Sequence, residues 1–294
     1  MNFLSRLATR LGIGLMKRMA GWPLPVLRRL GVVLGGLLYV LVLPRRRIVQ
    51  TNLALCFPAL PAAERTRLAR QTFVYFAQTW LDRSWLWHGS PELLARRLKL
   101  HGALHEFEGD APTIVFSPHF YGLDAGATAI NMHIQRRFTS IYTPQANPLV
   151  DEWIKAGRLR LGRVRLFNRR DGVKDIVSAL RAGEVLYLLP DMDFGSEGTV
   201  FAPFFGVPAS TVPSIARFAR LGRAKVISVV SRLTRDGYEV EVKPMWPDFP
   251  LGDLLADTAR GNQLLEGFIR EMPAQYYWVH KRFKTRPPGE PAVY

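Results

Sequence analysis

The chain has 294 residues, of which 48% are hydrophobic, and this composition excludes a disordered protein. Its 40 Lys and Arg outnumber 24 Asp and Glu, so the net charge is +16, which implies a polyanionic partner. That partner could be nucleic acid, an anionic membrane or an acidic protein. The sequence has no zinc-finger spacing of Cys and His, no ribonucleoprotein aromatic signature and no basic zipper. Because the basic residues flank apolar segments, we expect anionic membrane lipids as a partner and no nucleic acid.

The N-terminal residues have the pattern of a membrane-associated segment. Leu7, Leu11 and Leu15 lie at helical spacing among Arg and Lys, which predicts a basic amphipathic helix over about sixteen residues. The alternative is an ordinary surface helix. An apolar run follows from Leu30 to Leu43, about 21 Å long as a helix and short of the roughly 30 Å hydrocarbon core. We therefore favour a monotopic or shallowly inserted helix over a full span, within a membrane-associated helical segment at residues 1–58.

From residue 59 to 294 the pattern predicts an α/β domain. A long helix with an aromatic face is expected over Pro61–Trp87, and its aromatic stripe is interpreted as core. Further helices are expected near 123–132, 148–160, 171–182, 212–222 and 253–271, and strands at 113–117, 185–189, 225–230 and 238–243. This alternation is typical of a central, largely parallel or mixed sheet flanked by helices. The proline-rich segment 287–291 is expected to be a loose tail.

A histidine and an aspartate follow the first of these strands. Pro118 interrupts the strand and His119 comes next. Asp124 follows five residues later, in the first turn of a helical segment that begins near Leu123. Residues at the carboxyl ends of strands in an open α/β sheet face the usual ligand crevice. We expect Asp124 to accept a hydrogen bond from one imidazole nitrogen and leave the other free as a base. The alternative is a structural histidine beside a helix-capping aspartate.

Several motifs occur in the order of a known family. They are His119-x4-Asp124, the segment Asn52-Leu-Ala-Leu-Cys-Phe-Pro58, Pro190-Asp-Met-Asp-Phe-Gly195 followed by Val200-Phe-Ala-Pro-Phe-Phe-Gly206, and Gln275-Tyr-Tyr-Trp-Val-His-Lys-Arg-Phe-Lys-Thr-Arg-Pro287. With them the chain resembles the lysophospholipid acyltransferase superfamily. More narrowly, it resembles the bacterial lipid A biosynthesis acyltransferases, which add secondary acyl chains to a Kdo-modified precursor. The resemblance spans roughly residues 45 to 287.

The resemblance implies an acyltransferase on the cytoplasmic face of the inner membrane of a Gram-negative bacterium. His119 would be the general base, with Asp124 orienting it. Acyl carrier protein would be the donor and a lipid A precursor the acceptor, with no cofactor and no metal. One departure is that position 124 is Asp, where many lipid A enzymes carry Glu.

The same resemblance implies further site residues. Arg158 matches the family arginine that follows the histidine motif, and it would stabilise the tetrahedral oxyanion. Arg169 matches the superfamily's phosphate-binding block. Asp191 would close the site, by holding an arginine or by binding sugar hydroxyls of the acceptor. The aromatic run 201–205 is one place where we would expect the groove for the acyl chain.

Other polar clusters in the sequence are weaker candidates. Asp191 and Asp193 resemble part of a calcium loop, but the third ligand, the spacing and the terminal Glu are wrong. His101 and His105 could share a helical face but lack an obvious further metal ligand. The single cysteine, Cys56, is interpreted as a small buried hydrophobe, and one cysteine excludes an intramolecular disulfide.

Two alternatives to the lipid A function stay open at this point. The first is acyl transfer to a lysophospholipid, a glycolipid or an amino-acid lipid. The second is a membrane-binding protein without catalysis, in which His119 is structural.

Overall fold

The fold is built around a seven-stranded sheet in a computed structural model that describes residues 2–168 and 172–294. The strands are β1 (Leu98–Gly102), β2 (Thr113–Phe116), β3 (Phe138–Tyr142), β4 (Val164–Asn168), β5 (Val185–Leu188), β6 (Val200–Phe204), β7 (Val207–Thr211), β8 (Lys225–Leu233) and β9 (Tyr238–Val242). The main sheet has the order β1-β9-β8-β2-β5-β3-β4, and β6 and β7 form a separate antiparallel hairpin. Neighbouring strands of the main sheet run parallel except β8 and β9. The predicted α/β class with a largely parallel sheet is confirmed.

Helices pack on the sheet, and further helices form the N-terminal part of the chain before the first strand. They are α1 (Phe3–Arg18), α2 (Leu24–Leu41), α3 (Leu43–Cys56), α4 (Ala62–His88), α5 (Pro91–Arg97), α6 (Leu123–His133), α7 (Pro148–Leu159), α8 (Val173–Arg181), α9 (Ser214–Gly222) and α10 (Leu254–Glu271). Every expected helix is present, and all but α2 lie within a few residues of their predicted bounds. The sequence patterns did not predict α3, α5, the edge strands β1 and β4, the inner strand β3 or the β6–β7 hairpin.

Helix α2 begins earlier than the apolar run from which it was predicted. Pro25 lies in its first turn, where a missing backbone N–H removes no helical hydrogen bond. The charged residue Arg28 also lies within α2. Its guanidinium is paired with the buried carboxylate of Asp82 on α4, and Nη1 and Oδ2 are 2.5 Å apart. Among the described residues, α2 is the one helix long and apolar enough to cross a membrane, and 28% of it is buried.

Strands β2 and β5 position the site. All four residues of each strand are buried, as expected for central strands that are covered on both faces. The two strands are parallel neighbours, and the N–H of Ser117 continues their pairing by donating to the carbonyl of Leu188 at 2.9 Å. Their carboxyl ends therefore meet, and the loops that follow them lie side by side.

Candidate active site

The imidazole of His119 is bonded to the carboxylate of Asp191. His119 follows β2 and Asp191 follows β5, so the parallel pairing of these strands brings the two side chains together. The ring Nδ1 lies 2.7 Å from Asp191 Oδ1, and the backbone N–H of His119 donates to Oδ2 at 3.0 Å. A carboxylate only accepts hydrogen bonds, so Nδ1 carries a proton and Nε2 is left as the basic nitrogen.

The environment of Asp191 keeps it ionised. It is 2% exposed, and burial alone would raise the pKa of its carboxyl group. The charge and hydrogen bonds of His119 outweigh burial and hold that pKa below its ordinary value. The pair therefore consists of a fixed carboxylate and an oriented imidazole.

Asp124 does not have the predicted contact with the imidazole. Its Oδ1 accepts from Arg158 Nε at 2.9 Å, and its Oδ2 accepts from Arg83 Nε at the same distance. Burial raises the pKa of Asp124, but Arg158 and Arg83 lower it further, to about 2. The expected hydrogen bond from His119 to Asp124 is wrong in this structure, because two arginines occupy the carboxylate and Asp191 occupies Nδ1.

The expected arginine partner of Asp191 is wrong as well, because both carboxylate oxygens bond His119 instead. The alternative role of Asp191, binding sugar hydroxyls of the acceptor, stays a prediction. Arg158 lies where a site residue was predicted, but its observed carboxylate partner is Asp124. The predicted residue Arg169 lies outside the described residues.

The C-terminal motif braces the histidine loop from the other side. The N–H of Tyr277 donates to the carbonyl of His119 at 3.0 Å, and the N–H of Tyr121 donates to the carbonyl of Gln275 at 2.9 Å. Between these bonds Phe120 and Tyr276 form an isolated antiparallel bridge. Because the loop is held on both sides, the position of the imidazole is fixed by backbone hydrogen bonds as well as by Asp191.

The family motifs that include Asn52 and Asp193 form hydrogen bonds with the C-terminal motif. Asn52, on α3, is fully buried, and its Nδ2 donates to the carbonyls of Trp278 and His280 at 2.8 Å each. Asp193 accepts from the N–H and Oγ1 of Thr285 at 2.7 and 2.8 Å. These contacts assign Asp193 to the support of the C-terminal segment.

A cavity of about 600 Å³ opens beside His119. Its polar end contains His119, Arg83, Asp124 and Arg158. Its other end is lined mainly by apolar side chains of α6, α7, β3 and β4: Ala127, Ile130, Phe138, Ile154, Val164 and Leu166. An elongated apolar group could therefore lie along α6 with its reactive end near His119.

The aromatic run 201–205 does not line this cavity. Phe204 is fully buried and contacts the rings of Phe205, Tyr276 and Phe283. The β6–β7 hairpin turns these side chains toward α10 and the C-terminal segment, where Asn262 Nδ2 donates to the carbonyl of Pro203 at 2.9 Å. The run therefore does not contribute to this cavity: Ala202 and Phe204 belong to the core, Phe201 and Phe205 are half-buried, and Pro203 is exposed.

Arg83 is a site residue that sequence reasoning missed. It lies on α4, and its guanidinium stacks on the ring of Trp80 with 4.2 Å between Cζ and the centroid. Two of its nitrogens contact Asp124, while the buried Nη1 has no hydrogen-bond partner among the described residues. Its spacing from Phe76 and Trp80, which also line the cavity, is the signal that could have revealed it.

Neither His101 nor His105 lines this cavity, and His101 lies on β1, so the prediction that the two histidines share a helical face is wrong. The side chain of His105 is 70% exposed, and its nearest carboxylate is Glu106, with Nε2 and Oε1 3.9 Å apart. In the part of the chain that the structure describes, no group of three or more His, Cys, Asp or Glu side chains could hold a metal ion.

A family model and the curated sequence relatives agree on one family. A family model described as bacterial lipid A biosynthesis acyltransferase matches residues 1–285. The chain is 34% identical to the lipid A biosynthesis lauroyltransferase of Escherichia coli K12, over 97% of this chain and 94% of that protein. It is 31% identical to the lipid A biosynthesis myristoyltransferase of the same strain, over 90% and 82% of the two chains.

One similar solved structure is the 1-acyl-sn-glycerophosphate acyltransferase of Thermotoga maritima. The similarity covers 83% of this chain and 97% of that chain, at 11% identity and a TM-score of 0.40.

Proposed function

The chain belongs to the bacterial lipid A biosynthesis acyltransferase family, and we propose that it moves a fatty acyl chain from acyl carrier protein to a hydroxyl of a Kdo-modified lipid A precursor. The observation that carries this proposal is the oriented pair of His119 and Asp191 at the polar end of a cavity with a long apolar extension. An imidazole with a free nitrogen suits proton abstraction, and the apolar extension suits a fatty chain.

In the proposed first step, Nε2 of His119 takes the proton from the acceptor hydroxyl. The hydroxyl oxygen then attacks the thioester carbonyl carbon, and the carbonyl oxygen gains negative charge in a tetrahedral intermediate. Asp191 stabilises the imidazolium that forms, because its negatively charged carboxylate accepts a hydrogen bond from the Nδ1–H group. Proton transfer by a positioned base typically contributes about 10²–10⁴-fold to a rate.

In the second step the carbon–sulfur bond breaks. The carbonyl re-forms, and the departing thiolate of the carrier takes the proton from Nε2 of His119, which restores the neutral imidazole. The products are the acylated lipid and the free carrier thiol, so no cofactor or metal is consumed.

We propose that Arg158 and Arg83 stabilise the negative charge that develops on the carbonyl oxygen during this reaction. Both line the polar end of the cavity and share Asp124 as a counterion. Asp124 then fixes two guanidinium groups rather than orienting the base. One guanidinium near the oxyanion would contribute about 3 kcal/mol to the transition state, as removal of a single oxyanion donor typically costs.

The acyl chain of the donor would lie in the apolar end of the cavity, between α6 and the strands β3 and β4. Ala127 and Ile130 lie one helical turn apart on the cavity side of α6. Each methylene removed from water contributes about 0.8 kcal/mol, so the cavity would favour long chains over short ones.

The basic surface has two proposed uses on the cytoplasmic face of the inner membrane. It would attract the acidic acyl carrier protein, and it would hold anionic headgroups of membrane lipids.

The test is acyl transfer by the purified full chain, with acyl carrier protein loaded with fatty acids as donor and Kdo-modified lipid A precursor as acceptor. We expect His119→Ala to lose about 10²-fold or more of the rate, while the matched exposed variant His101→Ala keeps it. Wild-type rates for His119→Ala would contradict catalysis by this histidine.

The acceptor is tested in the same assay and in cells. Lysophospholipid, a glycolipid and an amino-acid lipid are offered in place of the lipid A precursor, and lipid A from a deletion strain is analysed by mass spectrometry. Efficient transfer to another acceptor, with all lipid A acyl chains intact and no redundant enzyme, would contradict the lipid A assignment.

A further inference from the structure

We propose that α1 and α2 form one surface that lies in the plane of an anionic lipid bilayer, and that α2 does not cross the bilayer. This docking surface consists of the exposed faces of α1 and α2. Phe3, Leu4 and Leu11 on α1 are 65–77% exposed, and Val33, Val40 and Leu41 on α2 are 59–72% exposed. The inference rests on the proposed function only in assuming that the substrate lipid resides in that membrane.

The opposite face of α2 is joined to α4 by close backbone contact. A Cβ atom on Gly31 would lie 2.3 Å from Cγ of Gln78, and one on Gly35 would lie 2.4 Å from Cα of Val74. Contacts this short leave no room for a side chain larger than hydrogen. The two helices therefore lie directly against one another, and α2 cannot move away from α4 without losing this interface.

A buried ion pair adds a second link near the start of α2. Arg28 is paired with Asp82 of α4, whose carboxylate also accepts a hydrogen bond from the hydroxyl of Tyr238 on β9 at 2.6 Å. Asp82 is fully buried. The start of α2 is thus connected through Asp82 to the central sheet.

Helix α4 is itself a core helix of the catalytic domain. Trp85 is fully buried against Tyr238, and Thr72 Oγ1 donates to the carbonyl of Ala274 at 3.2 Å. If α2 crossed the hydrocarbon, α4 and the sheet behind it would lie at the same depth. Asp82 and the polar edges of the sheet would then be inside the bilayer, which is excluded for a folded soluble domain. At 18 residues α2 is also only about 27 Å long, slightly less than the roughly 30 Å core.

The charge around the docking surface identifies its partner. Residues 1–63 contain nine Lys or Arg and no Asp or Glu. Arg6, Arg10, Lys17, Arg18, Arg29 and Arg47 are exposed. An apolar stripe with a purely basic border fits an anionic bilayer surface, where the apolar side chains enter the acyl boundary and the cations meet the headgroups.

The docking surface also reaches the rim of the catalytic cavity. Nδ2 of Asn147 donates to Oγ1 of Thr9 on α1 at 3.0 Å, and Gln145, two residues before Asn147, lines the cavity. An in-plane α1 would therefore hold that rim close to the headgroups, where a lipid substrate resides.

The topology of the full chain tests the inference without reference to catalysis. In a Cys56→Ala background, single cysteines are introduced as Ser5→Cys on α1 and Ser196→Cys on the catalytic domain, and intact spheroplasts are treated with a membrane-impermeant maleimide. We expect both sites to react only after lysis. Reaction of Ser5→Cys in intact spheroplasts, with Ser196→Cys protected, would mean that α2 spans the membrane and would overturn the inference.

Vesicle binding tests the partner. The full chain is sedimented with vesicles of phosphatidylglycerol and phosphatidylethanolamine or with neutral phosphatidylcholine vesicles. We expect the double variant Val33→Glu, Leu37→Glu to bind the anionic vesicles about tenfold more weakly or worse, and the matched control Val173→Glu, an exposed valine of α8, to bind as wild type.

Three outcomes of these experiments would contradict the proposal. Two are equal binding of the double variant and the wild type to anionic vesicles, and equal binding of the wild type to anionic and neutral vesicles. The other is conversion of a detergent-solubilised dimer to a monomer by the double variant, which would assign the surface to a second copy of the chain. Because these readouts do not require turnover, a failed acyl-transfer assay would leave them interpretable.

Discussion

Asp191 holds His119 through two different atoms, the ring Nδ1 at 2.7 Å and the backbone N–H at 3.0 Å. One carboxylate therefore fixes both the tautomer of the imidazole and the path of the loop that carries it. Asp191 contacts the imidazole, whereas Asp124 contacts two arginines. Substitutions at these two positions can therefore measure their contributions to the reaction separately.

Asp191→Asn should slow turnover strongly while the protein stays folded. An amide at this position no longer stabilises the imidazolium and can impose the wrong tautomer, so kcat should fall about 10²–10⁴-fold with a smaller change in KM. Steady-state kinetics of acyl transfer measure kcat and KM, and thermal unfolding shows whether the variant stays folded. The exposed variant Asp175→Asn on α8 is the control, and a kcat within twofold of wild type for Asp191→Asn would contradict the role given to this residue.

Asp124 should give the fold an acid-sensitive component. Its pKa is lowered to about 2 in the folded chain from an ordinary value of 3.8, so its stabilising contribution is complete above pH 4 and is lost as the pH falls toward 2. Asp124→Asn should lower the free energy of unfolding at pH 7 by about 3 kcal/mol, since Arg83 and Arg158 lose their counterion.

Denaturant unfolding from pH 7 to pH 2 measures this effect. The difference in unfolding free energy between wild type and Asp124→Asn should shrink as the pH approaches 2. A difference that stays constant over this range would contradict the ion pairing of Asp124 in the folded state.

Ala127→Phe should shorten the acyl chain that the enzyme prefers. Ala127 lines the cavity one helical turn before Ile130, so a phenyl ring there would block the apolar end while leaving His119 in place. Competition between donors of different chain length, read by mass spectrometry of the product, measures the preference. Ala127→Ser is the matched small control, and an unchanged preference for Ala127→Phe would place the acyl chain elsewhere.

Asn52→Ala should lower the free energy of unfolding of the protein. The substitution leaves two carbonyls, of Trp278 and His280, without their donor in a buried place, which should cost about 2–3 kcal/mol. Chemical unfolding measures the loss. Gln50→Ala, an exposed change on the same helix, should have little effect, and an equal loss for both variants would contradict the bracing role of Asn52.

The position of His119 was predictable because it depends on local signals. A buried strand, Pro118 and the start of a helix lie within about ten residues, and together they place the histidine at the carboxyl edge of a sheet. The α/β class and the bounds of the long helices other than α2 were predictable for the same reason, since hydrophobic periodicity is a local property.

The partner of His119 was not predictable in the same way. Asp191 lies 72 residues later and reaches the histidine only because β5 is the neighbour of β2, which depends on the strand order of the whole sheet. Asp124 was close in sequence, but Arg83 on α4 approaches it from a helix whose aromatic stripe was interpreted as core. Periodicity identifies residues that share a face, but it does not identify the face that borders a cavity.

The last residue of the chain is anchored, although the proline-rich segment before it, 287–291, was expected to be loose. The hydroxyl of Tyr294 contacts Asn52 and accepts a hydrogen bond from the N–H of Phe283 at 3.1 Å. Proline content lowers the propensity for regular structure, and it does not exclude a single aromatic anchor.

The contacts of Asn52 determine how the protein can be made soluble for study. Helix α3 follows the docking helices directly, so a deletion that extends through residue 52 would remove the support of Trp278 and His280, and with it the segment that braces His119. A deletion limited to α1 and α2 would still uncover the face of α4 that Gly31 and Gly35 cover. Polar substitutions on the exposed faces of α1 and α2 are therefore the better design, because they reduce membrane affinity and leave every buried contact intact.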